Sequence, residues 1–435
     1  MVHSTDTEAP FPELLRHKRV QAGLTQRTLA DLSTISPRTI RDLESGRAHA
    51  RMQTVRLLAD ALRLNGLARD LFISSGSGGR CGEPDGTDPG LAAPRAVNAL
   101  LGRDTEVRAM AQALESGHRR VVSVSGLPGV GKSRVAAELA ARLGSRRGWP
   151  VLWIGTGPQP HGAGGTAFGP LTKSLRLLVD SGAADVSAVC RLIGRHEALL
   201  VLDGVADTGP PAGVEELLAY CPGIRVVSTS RTPWQVAGVQ ATVLPPLAVP
   251  GAERDATGSP DALAGVPSVR LLLDRLSEVR PGFVPGRADA DALARVCRRL
   301  DGLPVALEAA AGRFGVLGLR HLAEEPLPSL LDLPVPARSA GAPRTIGCLL
   351  GGEVDRLDAA HRAILLELAR CDRAPTVPEA AAALDLPRND LVDGVGQLLG
   401  RGLVRASHEE SGTRLHLPNL LRALLRAPRN PRGSL

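Results

Sequence analysis

One run of eight residues constrains this chain more than any other: Gly126-Leu127-Pro128-Gly129-Val130-Gly131-Lys132-Ser133. It follows the apolar segment Val121 to Ser125 and leads into a helical pattern from Arg134 to Leu143. A strand, a glycine loop and a helix in that order form a phosphate-binding loop. The glycines let backbone N–H groups converge on an anion, and the helix N-terminus adds its partial positive charge. Gly126, Gly129 and Gly131 are the candidate cradle, Lys132 the bridge between β- and γ-phosphate oxygens, and Ser133 a hydroxyl ligand for Mg²⁺. The chain has only three lysines among its 52 basic residues, so Lys132 does not come from a lysine-rich background.

The neighbouring sequence extends this module. Apolar runs at Val121 to Val124, Val151 to Ile154, Leu199 to Leu202 and Ile224 to Val227 alternate with helical stretches, the pattern of a doubly wound parallel sheet whose strands are buried on both faces. The strand from Ala198 ends in Asp203, the expected second Mg²⁺ ligand. Gly204 stands where many hydrolytic phosphate-loop enzymes have a second carboxylate, which leaves Asp207 as the nearby acid for orienting water and argues against fast hydrolysis. The strand at Ile224 to Ser228 runs into Thr229-Ser230-Arg231, which places Arg231 at the carboxyl edge of the sheet near a γ-phosphate. The segment Thr172-Lys173-Ser174-Leu175 lacks the Asp of a guanine-recognition motif, so the expected ligands are ATP and ADP.

Upstream, Leu14, Leu15, Val20, Leu24, Leu29, Leu32, Ile35, Ile40 and Leu43 recur where three short helices would turn apolar faces inward, with a fourth helix from about Thr54 to Leu62. Thr25 before Gln26, and Ser36 before Pro37, read as helix caps on either side of a short turn. The third helix then presents Arg38, Thr39, Arg41 and Asp42 outward. Between Arg16 and Arg56 nine basic residues face three acids, an electrostatic footprint suited to a phosphate backbone. The net charge of +7 agrees with a polyanion partner, but 49 basic residues are arginine, so composition alone says little.

At 435 residues the chain needs several cores. The expected divisions are 1–73 for the helical module, 74–96 for a Gly/Ser/Pro linker, 97–250 for the nucleotide module, 251–340 for a helical domain and 341–435 for a last unit with helices and two short strands. Aromatic content of 2% disfavours stacking on single strands. Six cysteines without CxxC spacing argue against a zinc site or a disulfide framework. Without an apolar leader or spanning segment, the expectation is a cytoplasmic protein with no membrane contact.

Leu24-Thr25-Gln26 through Glu44-Ser45-Gly46-Arg47 resembles the phage Cro and repressor type (XRE) of helix-turn-helix. That resemblance implies double-stranded DNA as partner, Gln26 near the DNA backbone, the third helix in the major groove with Ser36, Arg38, Thr39 and Arg41 among the DNA-binding residues, and a dimer on a palindromic site. Leu101-Gly102-Arg103-Asp104, the phosphate loop, Asp203, Arg231 and Asp301-Gly302-Leu303-Pro304-Val305-Ala306-Leu307 together resemble the NB-ARC class of signal-transducing (STAND) ATPases. The resemblance implies that Gly102 and Arg103 lie near the adenine, that Pro304 packs on the base, that bound ADP holds the molecule closed, and that the last unit is a winged helix. Gly302-Leu303-Pro304 is equally an ordinary helix stop followed by a helix start. Leu417-Pro418-Asn419 replaces the family's Met-His-Asp triplet, with His416 one residue away. No repeat of about 20 to 50 residues recurs as a sensing array.

The fold class expected is therefore multidomain: an all-α helix-turn-helix, an α/β phosphate-loop module, then helical and winged-helix domains. Three functions follow from it: a nucleotide-switched transcriptional regulator, a constitutive repressor with a degenerate nucleotide scaffold, or an active STAND-type ATPase in defence or DNA remodelling.

Overall fold

The computed structural model describes residues 11–48, 50, 52–62, 64, 72, 98–155, 190, 193, 197–205, 209–251, 263–335, 344–410 and 412–427. The linker at 74–96, Asp207 and the segment 172–175 lie outside the described residues.

The N-terminal helices are α1 (Phe11–Gln21), α2 (Gln26–Ser33), α3 (Pro37–Glu44) and α4 (Met52–Ala61). Side-chain caps set the starts of α2 and α3: Thr28 N donates to Thr25 Oγ1 at 3.0 Å, and Thr39 N to Ser36 Oγ at 3.1 Å. Leu15, Leu29, Ile40, Leu43, Val55 and Leu58 close a small core. Two residues expected in it, Val20 and Leu32, are exposed at 61% and 56%. On α2 the inward positions are Leu29, Ala30 and Ser33, and at 100° per residue Leu32 falls to the side of that face.

Next come α5 (Asp104–Glu115), β1 (Val121–Ser125), α6 (Lys132–Arg147), β2 (Val151–Gly155), β3 (Ala198–Asp203), α7 (Ala212–Tyr220), β4 (Ile224–Thr229) and β5 (Val239–Val243). The five strands form a parallel sheet in the order β2-β3-β4-β1-β5. Val122, Val124, Leu199 and Val201 share one core with Leu139 and Leu143 of α6, while Leu200, Leu202 and Val226 meet Val214 and Leu217 of α7. Helices on both faces explain the continuous apolar character of β1 to β4. β5 was absent from the expected strands because it is an edge strand with a half-exposed pattern, so Val-Gln-Ala-Thr-Val carries no buried run.

The following region holds α8 (Pro267–Val279), α9 (Ala290–Arg299), α10 (Pro304–Leu317), α11 (Leu319–Glu324) and α12 (Leu327–Leu331), where the sequence pattern had indicated two helical segments. The last region comprises α13 (Ile346–Asp355), α14 (Ala359–Arg370), α15 (Val377–Leu384), α16 (Arg388–Gly400), the antiparallel pair β6 (Arg405–Glu409) and β7 (Gly412–His416), and α17 (Asn419–Arg426). One apolar core runs from β1 and α6 through α8, α9 and α10 into α13, α14, α16 and α17. No helix among the described residues is long and apolar enough to cross a membrane.

Candidate functional site

The loop between β1 and α6 carries its glycines for identifiable steric reasons. Gly126 sits at φ 134°, and a methyl there would come 2.7 Å from the carbonyl oxygen of Leu244. Gly129, at φ 77°, faces Val305: an added Cβ would lie 2.7 Å from Val305 Cβ and closer still to one of its methyls. Gly131 ends the loop at φ 103° and opens α6. The Lys132 ammonium donates to the carbonyls of Gly126 at 2.8 Å and Leu127 at 3.0 Å. It thus lies across the loop that the sequence marks as the candidate anion cradle.

Beside the loop, three oxygens gather at the carboxyl ends of β3 and β4. Ser133 Oγ donates to Asp203 Oδ1 at 2.7 Å, and Thr229 Oγ1 donates to the same oxygen at 2.6 Å. Parallel pairing sets Asp203 opposite Thr229, and Gly204 N donates to the Thr229 hydroxyl at 2.8 Å. Hard oxygen donors from one carboxylate and one hydroxyl suit Mg²⁺, which keeps its remaining positions for phosphate and water. Ser133 and Asp203 were given metal-binding roles from sequence; Thr229 was read only as the start of the segment leading to Arg231, although that place was a usable signal.

Two more distant elements reach the loop. Val305 N, in the first turn of α10, donates to Gly129 O at 3.3 Å. Ser125 Oγ, at the end of β1, donates to Gly400 O at 3.0 Å in a buried contact. The adjoining turn passes over the loop, since a methyl on Gly402 would stand 3.2 Å from Leu127 N. The phosphate loop is therefore covered by one element of the helical region and one of the C-terminal region.

The residues assigned near the adenine have structural partners. Gly102 packs against Pro267, where a Cβ would come within 2.5 Å of Pro267 Cβ. Arg103 is buried and donates to Pro245 O, with Glu106 at 3.3 Å; burial lowers its pKa from the usual guanidinium value. Pro304 opens α10 after Asp301 and Gly302, which take φ 56° and 66°, so the helix stop and start are both present. Arg231 Nε lies 3.1 Å from Glu353 Oε1, a buried carboxylate on α13 that sequence reading had passed over.

Leu417-Pro418-Asn419 forms the entry to α17. The Asp301 carboxylate accepts Asn419 N at Oδ1 and Leu420 N at Oδ2, each at 2.9 Å, while Asn419 Nδ2 donates to Arg298 O. Desolvation raises the Asp301 pKa against the opposing effect of these two N–H groups and of Arg405 and Arg422. His416 Nε2 sits 2.7 Å from Ser407 Oγ across the β6–β7 pair, so its ring is engaged within the hairpin.

On the N-terminal module, Arg38 and Arg41 are exposed along α3 above buried Ile40 and Leu43. Thr39 is half-buried, its hydroxyl 2.8 Å from Ser36 Oγ. Gln26 donates through Nε2 to Glu44 Oε2 at 2.7 Å. The same carboxylate receives Arg19 Nε at 2.6 Å, so Glu44 ties α1 and α2 to α3. A surface concavity lined by Arg19, Gln26, Arg27, Pro37 and Arg41 runs beside this tie.

Residues 15–66 match the family model described as helix-turn-helix, and residues 99–432 match the one described as AAA ATPase domain. A Mycobacterium tuberculosis protein named, provisionally, an HTH-type transcriptional regulator is 31% identical over 207 residues, covering 47% of this chain and 21% of its own length. An uncharacterized protein of the same species is 27% identical over 225 residues, 51% of this chain and 52% of its own. The chain thus spans about a fifth to a half of the curated relatives it matches. A signal transduction ATPase with numerous domains and a tetratricopeptide repeat sensor, from Pyrococcus horikoshii, covers 80% of this chain and 45% of its own at 14% identity and TM-score 0.30.

Proposed function

The chain belongs to the AAA ATPase domain family and carries a helix-turn-helix, and from that premise we propose that it is a DNA-binding transcriptional regulator switched by adenine nucleotide. The observation that carries this reading is the double cover on the phosphate loop. Val305 N bonds Gly129 O and Gly400 O accepts Ser125 Oγ, so a phosphate seated in the loop alters the footing of both the helical and the C-terminal regions. The order α14, a bridge between Thr376 and Arg414, α15, α16 and the β6–β7 pair supports a winged helix of the NB-ARC kind over 341–435.

In this reading Lys132 leaves the loop carbonyls for phosphate oxygens, and Ser133 with Asp203 holds Mg²⁺. ADP keeps the C-terminal region docked, and exchange for ATP loosens it and changes the pairing of the N-terminal modules on a palindromic duplex. Gly204 favours slow hydrolysis that resets the switch. Arg38 and Arg41 read base edges, while Gln26, Ser36 and Thr39 position α3 on the DNA. The alternative of a structural nucleotide scaffold draws on the engagement of Asn419 and His416 in local bonds.

The test is selection of a preferred duplex from a random library by the full chain, then titration of that duplex in saturating ADP and in a non-hydrolysable ATP analogue. A switch gives affinities or stoichiometries that differ between the two. Equal binding in both, with nucleotide bound, leaves a constitutive DNA-binding protein.

A further inference from the structure

The geometry points to Glu353 as the residue that sets the preference of this site for ADP over ATP, by holding Arg231 as a resident anion in competition with a γ-phosphate. The inference rests on the nucleotide-switch reading above and adds a specificity determinant to it.

Arg231 is placed at the phosphate side of the sheet by its neighbours. Two residues before it, Thr229 bonds the Asp203 carboxylate that also receives Ser133. One residue before it, Ser230 N donates to Val124 O at 3.1 Å, next to the strand end that becomes the phosphate loop. Two residues after it, Pro233 stands against Gly400, where an added Cβ would be 3.1 Å from the proline ring. The guanidinium therefore belongs to a segment pinned to β1, β3 and the loop cover at once.

Glu353 comes to it from α13, 122 positions later in the chain. That helix is fixed by Ile346, Leu350 and Val354 in the main core, and Glu353 itself is 5% exposed. A carboxylate so buried requires a cationic partner. It has two: Arg231 at 3.1 Å and Arg356 at 3.5 Å, the latter half-exposed at the end of the same helix. If Arg231 turns to another anion, Arg356 keeps the carboxylate paired, so the exchange does not strand a buried charge.

The consequence for nucleotide choice follows from charge alone. ADP ends at the β-phosphate, which the loop and Lys132 receive, and asks nothing of Arg231. ATP brings a γ-phosphate to the carboxyl edge of the sheet, where recruitment of Arg231 costs the pair with Glu353. ATP binding then also weakens a tie between the sheet and α13, which couples nucleotide identity to the seating of the C-terminal region.

The test is titration of the full chain with Mg-ADP and with a non-hydrolysable Mg-ATP analogue, for wild type, Glu353→Gln, Arg231→Gln and the double variant. Replacing the ion pair by a bond from Arg231 to a neutral amide shifts the balance toward ATP by about tenfold in Glu353→Gln, with ADP affinity unchanged. In the Arg231→Gln background the same change has no effect. Glu353→Met, which fills the volume without charge, gives the same shift and guards against a folding artefact in one variant. An unchanged ATP-to-ADP ratio in both Glu353 variants, or an equal shift without Arg231, overturns the assignment. Wild type binding neither nucleotide is a different result: the nucleotide reading itself fails and takes this inference with it.

Discussion

Replacing Gly129 by alanine tests whether the phosphate loop and α10 behave as one packed unit. Alanine at φ 77° carries the left-handed penalty of about 1–2 kcal/mol. Its methyl would stand 2.7 Å from Val305 Cβ, and Val305 is held in place by its own N–H bond to Gly129 O, so the side chain cannot withdraw without loss of that bond. Overpacking of this kind costs about 1–3 kcal/mol, which brings the total to about 2–5 kcal/mol. All three tryptophans, Trp149, Trp153 and Trp234, lie in the α/β module, so fluorescence during urea unfolding reports that module selectively. Val305→Ala removes the obstructing methyls at a cost of about 1–2 kcal/mol by lost burial. In the Gly129→Ala/Val305→Ala double variant the backbone penalty and the close approach to Cβ of residue 305 remain but the nearer contact with the Val305 methyl is gone, so the two changes are less than additive by about 1 kcal/mol. A Gly129→Ala cost below about 1 kcal/mol, or strict additivity, would refute the packing argument.

Asp301→Ala strips the two N–H groups at the start of α17 of their acceptor, and is expected to destabilise the C-terminal region by about 2 kcal/mol, measurable as faster amide exchange in α17. Because burial raises the Asp301 pKa, the folded state holds its proton more tightly than the unfolded chain. Its contribution is then fully present below the unfolded carboxylate value of about 4 and declines as pH rises through the higher folded value. Asp301→Asn should abolish that decline, and an unchanged pH profile from thermal melts would contradict it. Glu44→Ala releases Arg19 and Gln26 from α3 and is expected to lower the stability of the N-terminal module by about 2 kcal/mol, with DNA affinity falling in parallel; unchanged melting of that module would count against Glu44 as its tie.

What the sequence made legible was local. The phosphate loop is eight consecutive residues whose chemistry depends on their order, and β1, β3 and β4 announce themselves as apolar runs because both of their faces are covered. The caps at Thr25 and Ser36 were readable for the same reason, each bond spanning three residues. Edge strand β5 was hidden because its exposure breaks the run. Val20 and Leu32 were misplaced because apolarity marks a residue that can be buried, whereas rotation about the helix decides whether it is.

The contacts that join the site to the rest of the chain were not legible at all. Asp301 meets Asn419 across 118 positions and Ser125 meets Gly400 across 275, and no spacing in the sequence encodes either. Glu353 looks like any helical glutamate until packing buries it. Gly102 and Arg103 were named from a motif, and the structure adds close packing of Gly102 against Pro267 and a bond from Arg103 to Pro245, two contacts that the motif does not encode.

The central claim is that the loop at Gly126 to Ser133 binds an adenine nucleotide through Lys132. Calorimetric titration of the purified full chain with Mg-ADP and Mg-ATP, alongside Lys132→Ala of equal thermal stability, tests it most directly. Micromolar or tighter binding that is lost in Lys132→Ala is the predicted result. Binding of neither nucleotide by the wild type, or equal binding by the variant, would contradict the account.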